Sequence, residues 1–353
     1  MKRGLVVLDH DEIPESEWTS RVGTLQERLA ADGIDIALVY GDVYRSDDIG
    51  YLTNLCIYWN EGVVAVPAEG EPSFLTKLSP RVHIWMRRTS KVSDLHSGRA
   101  FGPLVAGLLD GREPGVAGLV DAALWPAALV TELTGALPGW ELRPLGGLVR
   151  EQRLRPSPNE TALIRDATAL LDEALRQAVA PGLTPADRVS VVERTLRRGG
   201  YTEVLVDTAS AQDDAVSVDV TGQYRHNWLR AARTVADPGG ASPTGALEAA
   251  LDAAIGAVAA GTAESALRYA ALPALTAFPD GTEAEVRWID QADLSTGGDY
   301  RPPGEDVRLE QGSVGAVAIE LILPGGGRAV VADTVRVGPG SAERLTGSRE
   351  PRS

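Results

Sequence analysis

Two strand-like stretches in the second half of the chain carry ionisable side chains at fixed places within apolar runs. The first covers residues 218–224 and 230–234, and the second covers residues 315–320 and 332–337. Side chains on a strand alternate between its two faces, so the positions of the charged residues decide which of them can share a pocket. The ionisable residues are Asp219, Arg230, Arg233, Glu320, Asp333 and Arg336.

Together these stretches resemble the metal-binding core of the M24 family, the pita-bread fold of aminopeptidase P, prolidase, methionine aminopeptidase and creatinase. The resemblance extends over nearly the whole chain and is weakest at residues 260–309. It implies a mixed α/β (α+β) protein with a creatinase-like N-terminal domain at residues 1–150. A pita-bread domain at residues 151–353 would follow. Members of the family hold two metal ions with five ligands: two Asp, one His and two Glu.

Only part of this ligand set has a counterpart in the chain. Asp219 matches the first Asp, but the second falls on Arg230, and a guanidinium offers five donors and no lone pair to a cation. Glu320 matches the first Glu, whereas the second falls on Ala332. No histidine follows His226. The resemblance therefore predicts no metal cofactor and no dinuclear centre. A single Mg or Mn ion on Asp219, Glu320 and Asp333 is the alternative, since hard cations accept oxygen ligands.

Arg230 has two interpretations. In the first it is structural, because a permanent cation offsets the repulsion between carboxylates that no metal ion neutralises. In the second it binds the carboxylate of a substrate through two parallel hydrogen bonds, helped by Arg233 and Asp333. Asp219 or Glu320 would then be the general base.

His226 is the remaining candidate for proton transfer in the second half of the chain. Metal-free relatives such as creatinase and ectoine hydrolase use a histidine in the loop before the Asp219 strand, but residues 201–214 contain none. If residues 224–230 form one continuous strand, Tyr224, His226 and Trp228 share the face of Arg230, with His226 about 13 Å away. The aromatic side chains could stack on a substrate or fill the core, and His226 could equally lie on the surface.

Composition restricts the possible partners. The formal net charge of −15 argues against nucleic acid and anionic membranes as main partners. No apolar run approaches the ~20 residues of a membrane helix, and the N-terminal apolar run is too short for a signal peptide. The single cysteine, Cys56, excludes an internal disulfide and indicates a reducing cytoplasm. The family resemblance implies a homodimer.

The hydrophobic pattern predicts most helices and strands. Ser157 followed by Pro158 is typical of a helix start, and Thr184 followed by Pro185 repeats the signal. We expect helices at 18–31, 127–137, 158–179, from 185 and 246–260, and strands at 34–40, 62–67, 73–76 and 116–120.

These observations lead to two functional hypotheses. The first is a metal-independent enzyme that acts on a small amide, amidine or amino-acid-derived substrate, by C–N hydrolysis or related lyase chemistry. The second is a non-catalytic relative that binds a peptide or protein partner in the former active-site cleft. The persistence of Asp219, Glu320, Asp333 and Arg233 favours the enzyme at this stage.

Overall fold

The computed structural model describes residues 12–57, 60–211, 215–236, 244–292, 294 and 306–347. The chain divides into two compact units between Arg153 and Leu154. The predicted boundary at residue 150 lies inside the helix that ends at Arg153.

The first unit is a mixed six-stranded sheet with helices on both faces. Its strands follow the order β4-β3-β2-β1-β5-β6, in which β5 and β6 run parallel to β1, and β2 runs antiparallel to it. Two separate apolar clusters pack against it, one around Leu25 and Leu29 and the other around Leu119 and Leu133. Its elements are α1 (Glu15–Ala31), β1 (Ile36–Gly41), α2 (Asp47–Thr53), β2 (Gly62–Pro67), β3 (Ser73–Thr76), α3 (His83–Thr89), β4 (Asp94–Ser97), α4 (Phe101–Leu108), β5 (Val116–Val120), α5 (Ala127–Ala136), β6 (Glu141–Leu145) and α6 (Leu148–Arg153).

The second unit is built on a seven-stranded antiparallel sheet. Six strands follow the order β10-β11-β12-β9-β8-β7, and β13 pairs with β12. The stretch without a clear counterpart, 260–309, contains α10 and β10. The elements are α7 (Pro158–Ala178), α8 (Pro185–Arg198), β7 (Glu203–Ser210), β8 (Ala215–Tyr224), β9 (Asn227–Ala236), α9 (Thr244–Gly256), α10 (Glu264–Leu275), β10 (Glu283–Asp290), β11 (Val314–Ile322), β12 (Arg328–Val337) and β13 (Ala342–Arg344).

The four helices of the second unit pack on one face of this sheet, which we call the helix-covered face. One apolar cluster joins α7 and α8 to β7, β8 and β9, and another joins α9 and α10 to β10, β11 and β12. Because side chains alternate along each strand, every second residue points to the opposite face instead. That opposite face contains Asp219, Arg230 and Glu320, which we call the cluster face.

The strand β12 contacts both β9 and β8. The β9–β12 ladder pairs Ala332 with Ala232, and two hydroxyl groups bond to the β12 backbone. Thr234 Oγ1 accepts from the Val330 amide at 2.9 Å, and Ser217 Oγ donates to the Arg328 carbonyl at 3.1 Å. Arg328 lies four residues before Ala332 on β12, so the two side chains share the cluster face.

The predicted helices and strands are present, with ends displaced by at most four residues. Helix α7 begins as the sequence indicates. The Ser157 hydroxyl accepts from the Glu160 amide, and the Glu160 side chain accepts from the Ser157 amide, which forms a capping box. None of the described helices has the length and apolar content needed to cross a membrane.

Replacing the cap of α7 should reduce stability without changing the fold. We expect Ser157→Ala to lower the free energy of unfolding by about 1 kcal/mol, because the first-turn amides lose their acceptor. Ser157→Asp should restore most of it, since a carboxylate also caps. Urea denaturation followed by circular dichroism measures both. Equal destabilisation by the two variants would contradict the capping role.

Candidate functional site

Asp219 and Arg230 form a two-pronged ion pair on the cluster face. Asp219 on β8 pairs across the ladder with Ala232, and Arg230 on β9 lies two residues earlier, so the two side chains are diagonal neighbours. Arg230 Nε donates to Asp219 Oδ1 at 2.9 Å and Nη2 donates to Oδ2 at 2.7 Å. The side chains are only 10% and 12% exposed. Both oxygens of the carboxylate are therefore engaged.

Arg328, which the sequence did not single out, binds the second predicted carboxylate. Its Nε donates to Glu320 Oε1 at 2.6 Å and its Nη2 donates to Oε2 at 3.2 Å. Its Nη1 donates to Asp207 Oδ2 at 2.6 Å, and Nη2 lies 3.5 Å from Asp219 Oδ2. We call these two arginines and three acids the charged cluster: Asp207, Asp219, Arg230, Glu320 and Arg328.

The pKa values of Glu320 and Arg328 are shifted so that both groups are charged at neutral pH. Hydrogen bonds from Arg328 lower the pKa of Glu320, with partial burial opposing the shift and the charges of Arg328 and Arg230 reinforcing it. The same hydrogen bond to Glu320 raises the pKa of Arg328 further above its already high value. Within the charged cluster, three carboxyl side chains meet two guanidinium groups.

Small apolar side chains lie beside the charged cluster. Ala232, Ala318, Val330 and Ala332 form an apolar group whose members are at most 4% exposed. Ala332 occupies the position of the second family Glu and pairs with Ala318 on β11 and Ala232 on β9. The position therefore offers no oxygen ligand and is closed to solvent.

This donor set does not fit a two-metal centre. Such centres need several carboxylates that bridge and surround ions roughly 3.5–4 Å apart. Here both oxygens of Asp219 and of Glu320 accept from guanidinium groups, and residues 230 and 332 supply no acceptor side chain. Within the described ranges, no group of three or more His, Cys, Asp or Glu side chains could hold a metal ion.

Arg233 and Asp333 lie on the opposite side of the sheet from the charged cluster, contrary to their assignment to the same pocket. Arg233 Nη2 donates to Asp333 Oδ1 at 2.8 Å, and Arg344 Nε donates to Oδ2 at 2.8 Å. Thr346 Oγ1 donates to Oδ1 at 2.7 Å, and Asp333 is fully buried. Ala332 lies on the cluster face, and successive side chains along a strand alternate. Asp333 therefore points to the helix-covered face. The alternative single-ion site on Asp219, Glu320 and Asp333 is therefore wrong.

Tyr224 also points away from Arg230. The strands β8 and β9 are joined by a turn at Arg225 and His226, which have φ values of 49° and 66°. Such two-residue turns are typical of hairpins, and cross-strand partners share a face, so Tyr224 shares the face of its partner Asn227. Tyr224 packs against Tyr201 on the helix-covered face, with ring centroids 5.4 Å apart. The assumption of one continuous strand through residues 224–230 was wrong.

Trp228 and His226 do not line the charged cluster. Trp228 shares the face of Arg230 but is buried against Leu294 and Ala316, so it belongs to the core. His226 lies in the turn itself, buried and at the far end of the hairpin from Asp219. Of the predicted site residues, the structure brings together Asp219, Arg230 and Glu320.

Comparisons with known proteins support the fold. Residues 21–155 match the family model of the creatinase/prolidase N-terminal domain. No curated protein is significantly similar to the chain in sequence. The structure is similar to a prolidase from Pyrococcus horikoshii, with TM-score 0.73 and 14% identity over 94% of this chain and 99% of that one. It is also similar to an X-Pro aminopeptidase from Thermotoga maritima, with TM-score 0.77 and 14% identity over 94% and 98% of the two chains. A dipeptidase from Mycobacterium ulcerans gives TM-score 0.71 and 20% identity over 96% and 97%.

These likenesses confirm the fold class and the resemblance to the creatinase, prolidase and aminopeptidase P family at the level of the fold. The chain has a creatinase-like N-terminal domain, and solved structures of prolidases and X-Pro aminopeptidases share its architecture along nearly their full length. Sequence identities of 14% and 20% show that the fold is shared, but they do not show a particular activity.

Removing Arg230 should strongly destabilise the protein. We expect Arg230→Met to lower the free energy of unfolding by about 3 kcal/mol, because the buried Asp219 loses its main cation. Asp219→Asn combined with Arg230→Met should recover most of that loss. Urea denaturation of the two single variants and the double variant gives the coupling energy. Arg176→Met, which removes an exposed ion pair on α7, is the control, with an expected effect below about 0.5 kcal/mol. Additive effects at 219 and 230 would show that the pair is not coupled.

Glu320 should contribute stability that depends on pH. Its folded-state pKa lies below the ordinary value of 4.5, so the contribution is present above pH 4.5 and is lost as pH falls through the lowered pKa. We therefore expect Glu320→Gln to be destabilising at pH 7 and to converge with the wild type in acid. Urea midpoints measured from pH 7 down to pH 3 check this. A difference that stays constant over the whole range would contradict it.

Proposed function

We propose that this chain is a metal-independent member of the creatinase and prolidase fold that binds a peptide or protein partner on its cluster face, without hydrolysing it. One observation carries the proposal. Asp219 and Glu320, the carboxylates at ligand positions, are each held through both oxygens by an arginine. In such a cluster the guanidinium groups supply the positive charge that the fold otherwise takes from metal ions.

The charged cluster is also poorly suited to proton transfer. A general base works best when its pKa is near the operating pH and when the reacting proton can reach it. The pKa of Glu320 is lowered, and its oxygens already accept hydrogen bonds from Arg328. Asp219 is buried beneath Arg230. These features support binding over turnover.

The accessible part of the cluster face suits a peptide. Leu205 and Ile322 are 43% and 40% exposed, and they lie on either side of the charged residues. Asp207 is 65% exposed and Glu320 is 34% exposed. An extended peptide that carries both apolar and charged side chains needs a surface with apolar and charged groups next to each other, and the cluster face has both. The solved neighbours are named as a prolidase, an X-Pro aminopeptidase and a dipeptidase, which are names of enzymes that act on peptides.

A second candidate is the metal-independent enzyme that the sequence favoured, acting on a small amide, amidine or amino-acid-derived substrate. The partial exposure of Glu320 and Arg328 supports it, because one acid and one cation on the cluster face remain accessible to a small molecule. In either case we propose a homodimer in the cytoplasm, on the basis of the family resemblance and the single cysteine.

Metal-dependent peptide hydrolysis is the decisive test of the proposed function. We expect the purified protein to contain no stoichiometric Mn, Co or Zn by elemental analysis. We also expect no release of proline from Xaa-Pro dipeptides when these metals are added, while a prolidase assayed in parallel is active. Stoichiometric metal, or turnover that a chelator abolishes, would overturn metal independence.

The second candidate predicts a different result. A panel of small amides and amidines incubated in the presence of a chelator should show no turnover if the chain only binds. Turnover that Glu320→Gln abolishes and Glu310→Gln preserves would establish the enzyme instead. Glu310 is a suitable control because its side chain is 62% exposed and pairs with Arg155, which is exposed as well.

A further inference from the structure

We propose that the contact between Arg328 and Asp207 occupies a carboxylate-binding position, and that the carboxylate of a ligand displaces Asp207 and pairs with Arg328. The ligand class is a peptide C-terminus, or an acylated amino acid, with an apolar last side chain. This inference rests on the proposed function of the cluster face and names the chemical group that binds there.

Arg328 is anchored by Glu320, and its Nη2 also lies 3.5 Å from Asp219 Oδ2. Its Nε and Nη2 donate to the two oxygens of Glu320 at 2.6 and 3.2 Å, which fixes the plane of the guanidinium. Its remaining nitrogen, Nη1, is the one that contacts Asp207, at 2.6 Å. A guanidinium group that one carboxylate already orients can bind a second carboxylate through its other edge. Little side-chain freedom is then lost on binding, because the group is already fixed.

Asp207 is the weakly held member of the charged cluster. Its side chain is 65% exposed, against 10% for Asp219 and 34% for Glu320. Ion pairs that involve an exposed partner contribute only about 0.2–1 kcal/mol, so Asp207 can be displaced at small cost. An incoming carboxylate would take over its hydrogen bond to Nη1. Asp207 would swing into water and remain solvated.

The neighbours of this contact explain the apolar side chain of the ligand. Leu205 lies two residues before Asp207 on the same face of β7, and Ile322 pairs with Arg328 across the β11–β12 ladder. Both are large and exposed, at 43% and 40%. Burial of such surfaces by a ligand is favourable by about 25 cal/mol per Å² of apolar area. A carboxylate with an adjacent aliphatic group matches both features at once.

Arg230, which the sequence suggested as the anion receptor, lacks these properties. Its Nε and Nη2 are committed to Asp219, and its side chain is 12% exposed. Its backbone amide and carbonyl are also bonded, both to the hydroxyl of Thr334. A ligand would have to break a buried pair to reach it, which is far more costly than displacing an exposed acid.

The test compares N-acetyl-L-leucine with N-acetyl-L-leucinamide, two probes that differ only in the carboxylate. Isothermal titration and the ¹⁵N–¹H signal of the Arg328 Nε group, assigned with Arg328→Lys, report binding. We expect the acid to bind, and the amide to bind at least about tenfold more weakly. Arg328→Lys should weaken acid binding by about tenfold or more, because the two-pronged geometry is lost.

Asp207→Asn provides the sharper variant, since it lies on the surface and leaves Arg328 in place. We expect it to tighten acid binding by about two- to fivefold, because the competing carboxylate is gone. Glu310→Gln, which removes one exposed acid that precedes β11 in the chain, should leave the affinity unchanged and controls for net charge.

Equal binding of acid and amide, or no gain in Asp207→Asn beyond that in Glu310→Gln, would overturn the exchange at Arg328. Neither result depends on turnover. If the protein shows no metal-dependent hydrolysis but fails this test, the proposed function stands and the carboxylate site at Arg328 is ruled out. If metal-dependent hydrolysis and carboxylate binding are both observed, the carboxylate site stands and the metal-independent function is ruled out.

Discussion

Charge balance on the cluster face is the constraint on which the second unit depends. Asp207, Asp219 and Glu320 come from β7, β8 and β11, and they meet Arg230 of β9 and Arg328 of β12. Five strands thus converge on one set of hydrogen bonds. Carboxylates this close together would repel one another, and some would take up protons, if the cations were removed. The close approach of these three acids therefore depends on the presence of both guanidinium groups.

Local sequence signals were sufficient for much of the fold. The Ser157 cap fixes the start of α7 because it depends only on the next three residues. The family resemblance, which aligned Asp219, Arg230 and Glu320 with ligand positions, predicted three of the five residues of the charged cluster.

The errors arose where position depends on more than one strand. Arg328 stands at the first residue of β12, and its contact with Asp207 joins β12 to β7, which is not its neighbour in the strand order, so no local pattern reveals it. Tyr224 was misplaced because a two-residue turn reverses the alternation that a continuous strand would keep. Asp333 was assigned to the site from its place in a motif. Along β12 it alternates with Ala332, so its side chain points to the helix-covered face instead.

The alanine and valine group beside the charged cluster has an evolutionary consequence. Ala332→Glu alone would bury a carboxylate among enclosed apolar side chains, and Arg230→Asp alone would place two acids side by side with Arg328 as the remaining cation of the charged cluster. Each change on its own should lower the free energy of unfolding by about 3–5 kcal/mol, because it leaves a buried charge without full compensation. Folding stability therefore opposes single substitutions that would restore the ligand set of the family, whatever selection acts on the activity of the protein.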